Sequence, residues 1–238
     1  MGNNIGIMII GAGGTGSALF QDLVRCDIKA DIYLVDGDRV QTKNIGRQHF
    51  SKKHVKKFKA ECLVDTATAA LGLSNLYYCN EYVNELNAIG IFSKLQNWDY
   101  RKKIIVGCVD NHPTRKLIEE YLKGNSNYYY VDCANGQKTG EVVAVYIKYG
   151  SEENIFEGAF RSEYDPNVLE DKSGTEKLVV EDEASCSDEV AAGNDQTIIA
   201  NRKAAITALE LINDYIRGTT RVGIIYFGEV ISRVVEIR

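Results

Sequence analysis

The chain has 238 residues, 45% of them hydrophobic, enough for one large α/β unit or two small ones with a substantial core. No run of about 18 apolar residues occurs, and Ile5, Ile7 and Ile9 enter the core pattern at once, so neither a membrane span nor a secretory leader is expected and the location is read as cytoplasmic. The net charge of −5 disfavours nucleic acid as the main partner, although residues 151–189 carry 13 acidic and 3 basic side chains and leave +5 for the rest.

Ile5–Ile10 is a short apolar run closed by glycines, which predicts a buried strand, and Thr15–Cys26 shows helical spacing at Leu19, Leu23 and Val24. Asp31–Val35 predicts a second strand ending at Asp36, so the opening is a βαβ unit with a right-handed crossover and parallel pairing. Ser51 reads as the cap of a helix to about Leu71, with Val55, Phe58, Cys62, Leu63 and Thr66 on one face and Gly72 as its stop. A strand at Leu76–Cys79, a helix at Asn87–Leu95 and a strand at Lys103–Val109 follow, with Asp110 at the carboxyl end of the last. His112–Leu122 predicts a helix with Pro113 in its first turn, and Tyr128–Cys133 and Glu141–Tyr149 predict strands. From Gly150 to about Gly193 the periodicity gives way to acidic residues, Gly and Ser, which predicts a long mobile segment. Gln196–Ile216 returns to helical spacing, and strands at Val222–Phe227 and Val230–Val235 close the chain. The class is α/β, a Rossmann-like doubly wound, mainly parallel sheet. It divides into a nucleotide-binding core at 1–150, an acidic crossover loop at 151–193, and a helix with short strands at 194–238 completing the same domain.

Gly11-Ala12-Gly13-Gly14-Thr15-Gly16 stands between the first strand and helix. Glycines there permit a tight turn and close phosphate approach, and the helix N-terminus offers N–H donors to an anion. Asp36, at the tip of the second strand, is placed to accept hydrogen bonds from ribose hydroxyls. These features say nucleotide, and would suit NAD, SAM or ATP equally. Asp38, Asn44, Arg47, Gln48, Lys59, Asp110, Asn111 and Arg115 form a further polar set that an NAD dehydrogenase does not need. Arg47 and Lys59 lie among Lys43, Lys52, Lys53, Lys56 and Lys57, where a basic cluster is commonly soluble surface. Asp38 and Arg115 fit a site role or a structural one, as cap or ion pair. The six cysteines form no C-x-x-C pair and His49, His54 and His112 show no ligand spacing, so no zinc is expected.

The strings G-A-G-G-T-G, L-V-D-G-D, N-I-G-R-Q, F-K-A-E and C-V-D-N-H-P-T-R, in this order from about residue 5 to 150, resemble the ThiF/MoeB family, related to the adenylation domains of ubiquitin-activating enzymes. The tail from Ser185 through Asn194-Asp195-Gln196 resembles the ThiF-like proteins of PRTRC cassettes more than the sulfur-carrier enzymes. The resemblance implies an ATP- and Mg²⁺-dependent adenylyltransferase acting on the C-terminal glycine carboxylate of a ubiquitin-like protein. By the same resemblance Gly13 and Gly14, framed by Gly11 and Gly16, lie against the phosphates, Asp36 holds ribose, and Asn44, Arg47, Gln48 and Lys59 reach the phosphates. Asp110, with Asn111 beside it, would position Mg²⁺ and the reacting groups. A homodimer is implied too, as is a conjugating-enzyme-like partner. Met1 lies too near the first strand for an N-terminal helix carrying an arginine to a partner subunit.

Cys186 is the one cysteine outside predicted regular structure, and the resemblance implies that it could take the acyl group as a thioester. Asp182, Glu183, Asp188 and Glu189 would raise its pKa, and an inert loop cysteine is the other reading. Cys26, Cys62, Cys108 and Cys133 read as small buried hydrophobes. The alternatives to protein activation are adenylation of a small-molecule or tRNA-borne group, an idle nucleotide-binding platform subunit, and an NAD-linked oxidoreductase.

Overall fold

The computed structural model describes residues 4–96, 100–136, 139–149, 154–170, 198–228 and 232–235. β1 (Ile5–Ile10) leads through the glycine turn into α1 (Gly14–Leu23), and β2 (Asp31–Val35) pairs with β1 in parallel, Ile7 opposite Ile32 and Ile9 opposite Leu34. β3 (Leu76–Cys79) extends the sheet beyond β2, and β4 (Lys102–Gly107) pairs with the other edge of β1. β5 (Tyr128–Asn135) completes the parallel part beside β4. β6 (Gly140–Tyr149) turns back antiparallel on β5 and shares its far edge between β7 (Asn154–Glu157) and β8 (Gly223–Phe227), with β9 (Ser232–Val235) outermost. The order is 3-2-1-4-5-6-8-9 with β7 beside β6.

The central strands read as continuous apolar runs because both faces of the sheet are covered. Ile7 and Ile9 of β1 face a core built with α1, α2 (Lys59–Leu71) and α6 (Ile198–Arg217), while Met8 and Ile10 face the one built with α3 (Ala88–Phe92) and α4 (His112–Lys123). In β5 the same alternation sends Tyr129 to the first core and Tyr128 and Tyr130 to the second, all three fully buried. Each aromatic ring of this size removes a large apolar area from water, so the tyrosine run is a principal anchor of the sheet.

Two expectations from spacing are corrected. The helix predicted from Ser51 begins at Lys59; Ser51 caps only a 3₁₀ turn, Lys52–His54, and Lys56 then takes a left-handed φ of 72°. That conformation cannot continue a right-handed helix, and residues 55–58 are instead pinned to the chain after β2 by Lys56 N donating to Val40 O at 2.8 Å and by a bridge between Arg39 and Phe58. Val55 and Phe58 are therefore not on the face of α2. The segment predicted to lack regular structure from 150 onward is folded at 154–170, where β7, a 3₁₀ turn at Arg161–Glu163 and α5 (Asn167–Glu170) lie against the sheet and α4. Phe160 and Val168 are buried there, and Arg161 is only 2% exposed.

Candidate functional site

The carboxyl ends of the parallel strands and the loops after them enclose a cavity of about 1040 Å³, where open α/β sheets bind ligands. Gly11, Gly13, Gly14, Asp36, Asp38, Asn44, Arg47, Gln48, Lys59, Asp110, Asn111 and Arg115 all line it. Gly16 does not, and Cys186 lies outside the described residues.

The glycines have different reasons to be there. At Gly16 a Cβ would come within 1.9 Å of Gly11 O, so this position lets the helix pack on the turn. At Gly13 a Cβ would meet nothing within 4 Å, because this residue opens onto the cavity. A Cβ on Gly14 would strike the amide of Asn201 from α6 at 2.2 Å. Thr15 Oγ1 lies 3.0 Å from Asn135 Oδ1, and Asn135 Nδ2 donates to Asn201 Oδ1 at 2.7 Å, so three elements are stitched together behind the loop.

Asp36 Oδ2 accepts from Ala12 N at 2.5 Å and Oδ1 accepts from Asp38 N at 2.7 Å, which fixes the carboxylate at the mouth of the glycine turn. Burial raises its pKa to about 6, the Asp38 charge adds to the rise, and Lys59 opposes it. Lys59 is 7% exposed, and its Nζ lies 2.6 Å from Asp38 Oδ2. Burial alone would lower the Lys59 pKa; the charges of Asp36 and Asp38 reverse this and hold it above the ordinary value. Tyr82 donates its hydroxyl to the other Asp38 oxygen, and burial together with that bond keeps Tyr82 protonated. Asp38 thus lines the cavity while ion-paired with Lys59.

Arg47 lines the cavity, and among the described residues its guanidinium takes no hydrogen bond or ion pair. Beside it Gln48 keeps a buried Oε1 without a hydrogen-bond partner among the described residues. Asn44 Oδ1 is committed to Gln41 N at 2.8 Å, closing the 3₁₀ turn Thr42–Asn44. Arg115 is held at the cavity wall by its neighbours: its Nε lies 3.1 Å from Asp132 Oδ1 and its Nη2 donates to Val109 O at 2.5 Å. Asn111 caps α4, accepting from Thr114 N at 2.9 Å. Cys108 and Cys133 line the same floor; their mutual hydrogen bond and burial push the Cys108 thiol well up, so it stays protonated. Among the described residues no group of three or more His, Cys, Asp or Glu is arranged to hold a metal.

Sequence reasoning missed Tyr82, Asn135, Glu141 and Asn201, which also line the cavity. Tyr82 and Asn135 stand just past or at the ends of β3 and β5, a position that could have flagged them. Asn201 sits mid-pattern in α6, where nothing local distinguishes it.

A family model described as ThiF family matches residues 3–175. The adenylyltransferase and sulfurtransferase MOCS3 of Arabidopsis thaliana is 30% identical over 115 residues, covering 48% of this chain and 23% of its own. The SUMO-activating enzyme subunit uba-2 of Caenorhabditis elegans is 26% identical over 142 residues, covering 58% and 23%. The chain thus matches under a quarter of the length of these relatives. E. coli MccB, solved with ATP, superposes with a TM-score of 0.68 at 16% identity over 98% of this chain and 63% of its own. PaaA superposes with 0.65 at 16% identity over 99% and 64%. At such identities the likeness is one of fold.

Proposed function

The chain belongs to the ThiF family, and on that premise we propose that it adenylates the C-terminal carboxylate of a ubiquitin-like or sulfur-carrier-like protein, releasing pyrophosphate. One observation carries the reading: a single cavity holds the open glycine loop, the Asp36 carboxylate, the cations of Arg47 and Lys59, and Asp110. A carboxylate attacking the α-phosphate brings two anions together, so the site must offset charge on both. Arg47, with no partner of its own among the described residues, and Lys59, held charged by two carboxylates, suit that task. Asp36 keeps a lone pair on each oxygen for ribose hydroxyls after its two backbone bonds. MccB, which shares the fold, has been solved with ATP and with MccA, which supports a nucleotide and a second substrate for this chain.

Mg²⁺ fits the donors present, since Asp110 lines the cavity and Mg²⁺ is commonly held by one or two carboxylates together with phosphate oxygens. When bound it would neutralise phosphate charge. The acyl carbon of the adenylate is then open to a thiolate, with AMP leaving; Cys186 is the proposed acceptor. A homodimer and a conjugating-enzyme-like partner belong to the same reading.

The test is exchange of labelled pyrophosphate into ATP. Exchange that needs the partner's terminal glycine, and that Asp110→Ala lowers by about 100-fold or more, is the expected result. Confirmed ATP binding without exchange on any such partner would leave the platform reading in its place.

A further inference from the structure

Asp132 is fully buried, and each of its oxygens holds a different arginine. Oδ1 lies 3.1 Å from Arg115 Nε of α4; Oδ2 takes Arg161 Nε from the folded segment 154–170. Arg115 passes the connection on, because its Nη2 donates to Val109 O at 2.5 Å and to Cys133 O at 3.3 Å. Val109 is the residue before Asp110. The peptides around Asp110 are thus tethered on one side by Arg115 and on the other by the Asn111 cap of α4. Arg161 also reaches Glu141, a residue of the cavity lining, through Nη1.

We propose that Arg161 and Asp132 are positioning residues for the Asp110 loop, making the placement of Asp110 depend on the docking of segment 154–170. The inference rests on the adenylation reading for its consequence, and on geometry alone for its existence. A buried ion pair contributes little net stability compared with apolar packing of the same shape, whereas its directional bonds fix geometry. The fork of Arg115 can hold Val109 O only in the orientation that Asp132 gives it, and Asp132 without Arg161 keeps a buried oxygen unpaired. Segment 154–170 is itself docked by Phe160, Val168 and Ser162 N, which donates to Glu119 Oε1 of α4 at 3.3 Å. Loss of the arginine therefore removes the tether and leaves the apolar anchors.

The experiment is amide hydrogen exchange of the full chain without substrate, comparing wild type with Arg161→Met, Asp132→Asn and Lys148→Met. Lys148 pairs with Glu157 at the surface, so its loss removes an exposed ion pair of the same segment while leaving Asp132, Arg161 and the apolar anchors in place. Exchange over residues 108–115 is expected to rise about tenfold or more in the first two variants and to stay at the wild-type rate in the third. Changes confined to 154–170 in Arg161→Met would overturn the proposal. Should that variant fail to fold, Asp132→Asn, which keeps the side-chain shape, decides alone. In pyrophosphate exchange Arg161→Met should lower kcat about tenfold with the KM for ATP within about twofold, and Arg161→Lys should recover part of the loss. A raised KM with unchanged kcat would count against positioning. A wild-type chain without any exchange would sink the adenylation reading, while the amide measurement would still decide the tether.

Discussion

Asp36 accepts hydrogen bonds from Ala12 and Asp38 backbone N–H groups and still ionises only near pH 6, because burial outweighs them. A carboxyl whose folded pKa is raised contributes stability below its unfolded value of about 4, and that contribution is lost as pH rises through 6. Its ionised form is the better ribose acceptor, so ATP affinity should fall several-fold as pH drops from 7 to 5. Asp36→Asn should remove that step in a titration calorimetry series. Lys59 carries the opposite burden. Lys59→Met would leave Asp36 and Asp38 facing each other, and should cost about 3 kcal/mol or more at pH 8. At pH 5, where Asp36 is largely protonated, the cost should be smaller. Thermal melts at the two pH values check the sign, and equal losses would mean that the two carboxylates do not share this lysine.

At the scale of elements, the glycine turn separates packing from binding. Gly16→Ala places a methyl within 1.9 Å of Gly11 O and should destabilise the chain by several kcal/mol, about as overpacking does at its upper end. Gly13→Ala meets nothing within 4 Å, so its melting temperature should match wild type while nucleotide affinity falls about tenfold. A stable Gly16→Ala protein, or a Gly13→Ala protein that binds ATP normally, would reverse these assignments. The elements at the turn were legible in the sequence because strand, turn and helix there are set by neighbours within a few residues. The start of α2 was not. Its apolar spacing runs through residues 55–58, yet the bond from Lys56 N to Val40 O competes with helix and wins.

Across the whole molecule, the site is closed by residues far apart in the chain. Asn201 of α6 reaches Thr15 and Asn135, and Gly14 has no side chain so that this amide can approach. Asn201→Ala should cost about 1–2 kcal/mol through the partners it leaves unpaired, and should weaken nucleotide binding because the glycine loop loses its support. Denaturant unfolding and ATP titration measure the two effects separately. Arg161 is the acidic segment's own contribution to the sheet, binding Asp132 and Glu141 from a stretch that composition alone marks as irregular.

The amino-acid sequence by itself determined the βαβ opening, the parallel strands, the glycine loop and the family strings. Each of these is a periodicity or a short motif whose physical cause lies within one or two elements. Only the tertiary structure decided which charges meet. Asp38 turns to Lys59, 21 residues on, and Arg115, at the cavity wall, turns to Asp132. No spacing encodes such choices, because a charge buried away from water takes whichever partner the packed chain brings within bonding distance, and that partner is fixed by the fold.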